Sequence, residues 1–140
     1  MATTAYVRPD ELEDERVFGA SHHDTPVCVY RTLKDVARVK SWIGYEELNQ
    51  TCALGLNLGT DAGRNKIGEY VGAVSEFEVG KKRPMLSAVV VHKRRPREPG
   101  YGFYTWADEL NQRKHGETDK QLWFRLLGEC HAYWSQRPVP

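Results

Sequence analysis

The chain has 140 residues, of which 40% are hydrophobic and 28% charged, with a net charge of +1. This is ordinary globular usage for one domain with a packed core. No apolar run approaches the roughly 20 residues of a membrane-spanning helix. The first 16 residues, MATTAYVRPDELEDER, lack the basic-then-apolar layout of a secretory signal, so the expectation is a cytoplasmic protein with no membrane partner.

Residues 1–25 read as an acidic N-terminal arm. DELEDE at 10–15 holds five acids and no base, and apolar periodicity is scarce. Pro9 suits a first turn, which allows a short helix over 9–17. Residues 26–140 read as a single α+β domain. PVCVY at 26–30 is rich in branched and aromatic residues and predicts a strand. Thr32 and Asp35 have capping-box spacing, with Asp for the usual Glu. Behind them Val36, Val39 and Ile43 recur at helical spacing, giving a helix over 33–42 that Gly44 stops. YEELNQTCALGL predicts a short helix over 45–53, and GLNLGTDAG predicts a turn.

Ile67, Tyr70, Val71, Val74 and Phe77 form an apolar stripe on a third helix over 62–79. MLSAVVV at 85–91 predicts a buried strand, since its apolar run is nearly continuous. HKRRPREPG at 92–100 is a connecting tip, and YGFY at 101–104 its returning strand. A short helix over 105–116 ends at Gly116. Thr118 or Asp119 caps a last helix to about Gln136, with Leu122, Leu126, Cys130 and Tyr133 on one stripe, widened by Trp123, Leu127 and Trp134.

Cys28, Cys52 and Cys130 are odd in number and include no CxxC pair, which points to three partly buried thiols and neither a disulfide framework nor a zinc site. His22, His23 and Asp24 have no second ligand cluster to complete a metal site and read as part of a solvated arm. His92 reads as a polar strand end in a basic neighbourhood. No GxGxxG, GxxxxGK[ST] or GxSxG segment is present.

The order of helix, short helix, glycine-rich turn, amphipathic helix, strand, basic loop and aromatic strand is that of a winged helix-turn-helix-like core. Three helices and a small β-hairpin sheet make up this core, with a C-terminal helix added. In that architecture the third helix enters a major groove and the wing reaches the backbone beside it. Arg64, Asn65 and Lys66 then stand at the N-terminal end of the recognition helix, where the helix end also favours an anion. Lys81, Lys82, Arg83, Lys93, Arg94, Arg95 and Arg97 form a basic stripe with no acid among residues 81–97. A polyanion meets that stripe whatever the total charge. Lys and Arg on a hairpin also discourage edge-to-edge pairing. Tyr101, Phe103 and Tyr104 either stack on a base or pack into the sheet.

GYEELN at 44–49, AGRNKIGEYVGAV at 62–74 and RPMLSAVVV at 83–91 resemble the DNA-binding domain of alkylguanine-DNA alkyltransferases and alkyltransferase-like proteins. The resemblance covers about residues 40–104. It implies that Tyr45 stands near a nucleotide phosphate, that Arg64 is the recognition-helix arginine and that Pro84 opens the strand. Met85 occupies the position of that family's reactive cysteine, and Leu86 and Ser87 replace His and Arg. A thioether has no proton to lose, so alkyl transfer to a thiolate is excluded there. RPMLSAVVVHK…PGYGFY also resembles small domains of unassigned role in prokaryotic and phage proteins, which suggests a phage or defence setting.

The resulting expectation is a non-catalytic, cofactor-free DNA-binding protein. Its contact residues are Tyr45, Arg64, Asn65, Lys66, Lys81, Lys82, Arg83, Lys93, Arg94, Arg95, Arg97 and Tyr101. A protein-binding inhibitor or adaptor, alone or as a homodimer, is the alternative. A metal-dependent nuclease using Glu69, Glu76 and Lys93 is a second, although the 85–91 strand lacks the usual acid. The acidic arm either folds over the basic wing or docks a partner.

Overall fold

The computed structural model describes residues 8–137, so the first seven residues of the expected arm lie outside it. The described chain is mostly helical, with a small two-stranded parallel sheet. Its elements are α1 (Pro9–Ser21), α2 (Val27–Arg38), β1 (Ile43–Gly44), α3 (Tyr45–Thr51), α4 (Asp61–Gly80), a 3₁₀ turn (Leu86–Val89), β2 (Val90–Val91), α5 (Tyr101–Glu109) and α6 (Asp119–Ser135). No helix among the described residues is long and apolar enough to cross a membrane.

Residues 85–91 are the most buried stretch, as their apolar run implied. Met85, Leu86, Ala88, Val89 and Val90 have no exposed surface. They are not one strand, however: only Val90 and Val91 pair, in parallel, with Ile43 and Gly44. The rest is a 3₁₀ turn whose backbone groups are bonded by side chains. Ser75 Oγ accepts from the Ser87 N–H (2.9 Å), Trp123 Nε1 donates to the Ala88 carbonyl (2.9 Å), and Cys130 Sγ donates to the Met85 carbonyl (2.9 Å). Buried backbone groups need such partners wherever a sheet ladder is missing.

The 26–30 strand is instead the start of α2. Pro26 stands at its N-cap, and Val29, Tyr30, Leu33 and Ala37 are all buried. Burial on a 3.6-residue period outweighs the β preference of Val and Tyr. Thr32 and Asp35 consequently lie inside the helix and cap nothing. Helix α4 runs one residue beyond the expected 62–79 at each end, and Thr60, within the expected turn, caps it: its Oγ1 accepts from the Gly63 N–H at 3.0 Å. Gly63 is required there, because a Cβ would come within 2.0 Å of the Asn57 carbonyl oxygen.

YGFY at 101–104 is the first turn of α5, with Phe103 buried in the core. The expected hairpin therefore has no returning strand, and residues 92–100 link β2 to a helix. The helix over 105–116 is correspondingly early: α5 ends at Glu109, and Gly116 sits in the following turn with φ of 77°. Thr118 caps α6 through a box with Gln121.

The acidic segment is not a solvated arm from residue 9 onward. Helix α1 lays Glu11 and Glu15 on α2, where Lys34, itself fully buried, donates to Glu15 at 2.6 Å. Arg31 joins Glu15 at 3.0 Å, and Arg38 pairs with Glu11. Burial opposes ionisation of Glu15, but the Arg31 and Lys34 hydrogen bonds hold its carboxyl below the usual range. His22 stacks on Phe18 at 5.0 Å and meets Glu76 at 3.2 Å.

The cysteines also differ from the expectation of three thiols. Cys28 on α2 and Cys52, just past α3, form a disulfide with Cα atoms 5.6 Å apart, while Cys130 is a buried thiol. The pair is 24 residues apart and becomes adjacent only once the two helices dock.

Two stability outcomes follow. A loop of that length is worth about 3–4 kcal/mol in a chain-entropy model, so reductant, or the Cys28→Ser/Cys52→Ser pair, should lower the free energy of unfolding read from a urea titration by about that amount. Coincident curves with and without reductant would show that the bond contributes nothing. Ser75→Ala strips the buried Ser87 N–H of its acceptor and should cost about 1–3 kcal/mol in the same assay.

Candidate nucleic-acid interface

A cleft of about 780 Å³ opens where α3, the N-terminal half of α4, the 92–100 loop and α5 meet. The loop reaches this place because β2 lies beside β1. That pairing delivers His92 and Lys93 next to Gly44 and Tyr45, with the Tyr45 and His92 rings 5.2 Å apart. Tyr45 Oη accepts from the Gly100 N–H at 2.8 Å, and the His92 N–H donates to the Glu98 carbonyl at 2.9 Å. The loop is thus tied at both ends. Burial pushes the Tyr45 phenol pKa up, and the Gly100 hydrogen bond opposes that shift.

The floor is made by the buried residues Ile67, Val71, Gly72, Ser87 and Phe103, and the exposed Arg64, Asn65, Glu69, Lys93, Arg94 and Tyr101 form the rim. Gly72 is needed for closure, since a Cβ would fall 2.2 Å from the Trp106 indole. Tyr101 is 85% exposed.

Six of the twelve expected contact residues meet here: Tyr45, Arg64, Asn65, Lys93, Arg94 and Tyr101. Arg95 and Arg97 continue the same loop, with Arg97 over the Trp42 ring at 5.8 Å. Lys66 is exposed on α4 and meets Glu69 at 3.8 Å.

Lys81, Lys82 and Arg83 do not join this surface. They follow the far end of α4, on the order of 25 Å from Arg64 at 1.5 Å per residue. Arg83 is largely withdrawn from solvent: its guanidinium donates to Glu78 at 2.8 Å and meets Asp14 at 3.3 Å. Glu78 also accepts from Tyr30 Oη at 2.6 Å. Burial raises the Glu78 pKa, with the Arg83 hydrogen bond opposing it.

Among the described residues the remaining cations are distributed unequally. Arg31, Lys34, Arg38, Arg64, Lys66, Arg83, Arg113 and Arg125 are in ion pairs. None of these pairs reaches Lys93, Arg94, Arg95 or Arg97, all of which are exposed.

The residues suggested for a nuclease do not assemble. Glu69 lines the cleft with Lys93, whereas Glu76 pairs with His22. Among the described residues no group of three His, Cys, Asp or Glu could hold a metal. Met85, in place of the alkyltransferase cysteine, is fully buried and outside the cleft lining. Sequence reasoning missed Trp106 and Gly72, whose only signal was their helical register with the cleft-facing residues of α5 and α4. Compared with protein-family models, curated proteins and solved structures, the chain matches none of them.

Replacing Tyr45 with Phe removes the acceptor for Gly100. Amide exchange at residue 100 should accelerate, and stability should fall by about 1 kcal/mol. Unchanged exchange would mean that the loop is held by other contacts.

Proposed function

We propose that the protein binds nucleic acid without doing chemistry on it, the 92–100 loop supplying the phosphate contacts and the start of α4 the adjoining ones. The observation that carries this reading is the unpaired set Lys93, Arg94, Arg95 and Arg97, exposed on one loop that borders the cleft. Elsewhere this chain matches many cations with carboxylates, so an unmatched cluster invites an external polyanion. Arg64 and Asn65 lie across the same cleft, and Tyr45 and Tyr101 offer ring faces beside the charge.

In outline the mode is that of a winged helix: α4 takes the recognition role and the loop takes the place of a wing. Of the three residues that the alkyltransferase resemblance singled out, Tyr45 and Arg64 line one cleft, whereas Pro84 lies outside it and precedes a 3₁₀ turn instead of a strand. A protein-binding module is the second reading. Trp42, 44% exposed, borders the basic loop through Arg97, and Val39, 74% exposed, adds a second exposed apolar side chain.

Binding measured by fluorescence anisotropy should fall with salt, the log–log slope being about −0.9 per duplex phosphate neutralised or −0.7 on a single strand. Lys93→Glu/Arg94→Glu should weaken binding to all sequences alike and flatten the slope by roughly two contacts. A wild-type Kd that stays above millimolar at low salt ends this reading.

A further inference from the structure

We infer that the cleft holds one nucleoside phosphate, its ring entering between α4 and α5 and its phosphate meeting Arg64, Lys93 and Arg94 on the rim. This rests on the nucleic-acid reading and deepens it, from a charged surface to a pocket of defined occupancy. A cleft of about 780 Å³ is within the size range of pockets that enclose a small ligand.

The glycines carry the argument. On α4, Gly63 and Gly72 are explained by packing, since a Cβ would collide with Asn57 or Trp106. Gly68, one turn before Gly72, has no such reason: a Cβ there would meet nothing within 4 Å. Glycine inside a helix is destabilising relative to alanine, so the protein's own packing leaves Gly68 unexplained. Gly102, in the first turn of α5, is equally open; so are Gly80 and Gly128, but of these four only Gly68 and Gly102 line the cleft, from two different helices. Together they keep an open slot between two helices above an apolar floor.

The floor also carries a polar group. Ser87 is 3% exposed, and its Oγ accepts from Ser75 Oγ at 2.7 Å. Its own O–H is left to donate to whatever enters. A planar ring with polar edges satisfies this combination better than a lipid chain, which would leave that donor unpaired, or a bare phosphate, which would leave the apolar floor unused. The rim also carries two acids: Glu69 is paired with Lys66, whereas Glu46, bonded only to the neutral amides of Asn49 and Gln50, keeps its charge, so Arg64, Lys93 and Arg94 outnumber the lining acids three to two.

The source of the nucleoside phosphate is either a free mononucleotide or one unit of a single strand, and the probes separate them. Binding is measured for AMP, GMP, CMP and UMP, for a short single-stranded oligonucleotide, for the matching duplex and for inorganic phosphate. Gly68→Ala and Gly102→Ala are compared with Gly128→Ala, whose Cβ also meets nothing and which lies outside the cleft.

The expected result is that the single strand or a mononucleotide binds more tightly than duplex or phosphate. Gly68→Ala and Gly102→Ala should each lose at least tenfold in that affinity. Gly68→Ala should nevertheless match Gly128→Ala in raising the melting temperature, and Gly128→Ala should bind as wild type. If mononucleotides bind and the polymers do not, the pocket stands and the nucleic-acid reading fails. If the glycine variants bind the oligonucleotide normally while Lys93→Glu/Arg94→Glu does not, the surface reading stands and this inference is overturned. If no probe binds, both fall.

Discussion

A stretch of backbone crosses the core without a sheet around it, and the rest of the fold is arranged to satisfy it. From Met85 to Val91 every side chain is buried and all but Ser87 are apolar, which makes the segment the natural centre of the hydrophobic cluster. Only two of its residues gain ladder hydrogen bonds. An unsatisfied buried amide or carbonyl would cost about as much as a large side chain gains by burial. The donors and acceptors therefore come from the helices that enclose it: Ser75 from α4, and Trp123 and Cys130 from α6. Each is a mid-helix polar group facing inward, where an all-apolar stripe would otherwise be expected.

The same segment sets the position of the cleft. Two parallel residue pairs align the end of β2 with the start of α3, so the chain leaves the core beside Tyr45. The basic loop must then cover the distance to α5 at that end of α4, tied by Tyr45 to Gly100. A hairpin would have carried the loop outward as a wing. A helix in place of the returning strand brings it back over the face of α4 and closes a concavity instead. Trp106 reaches that face because Gly72 leaves room for it.

What was legible in the sequence was the part governed by a single period. The apolar stripes of α4 and α6, the Thr118 start, and the buried character of 85–91 all rest on local spacing. PVCVY and YGFY were misleading because branched and aromatic residues report burial as readily as they report a strand. In both places the flanking residues continue a helical pattern, and that longer pattern won. The Cys28–Cys52 pair could not be seen from spacing, since proximity there is a property of two docked helices. The cleft was half legible. Tyr45, Arg64, Asn65, Lys93, Arg94 and Tyr101 were chosen for chemistry, yet their meeting depends on a parallel pairing that no motif announced.

The charge pattern explains why a chain of net charge +1 can still present a strongly basic site. Helix α1 places its acids against α2 and Arg83, at the C-terminal end of α4. The loop cations stand at the opposite end. Helix α4 spans 20 residues, or about 30 Å at 1.5 Å per residue, whereas the Debye length at physiological salt is about 8 Å. The Asp14–Arg83 end of the acidic helix is therefore several screening lengths from the N-terminal end of α4, and Glu11 and Glu15 are already paired with Arg38, Arg31 and Lys34. What an approaching phosphate meets on this loop is set by Lys93, Arg94, Arg95 and Arg97, with Glu98 the one acid among residues 92–100. The seven basic residues of 81–97, two runs parted by residues 84–92, are separated by the fold: Arg83 is drawn onto the buried Glu78, Lys81 and Lys82 stay exposed at the far end of α4, and the four loop cations face solvent beside the cleft.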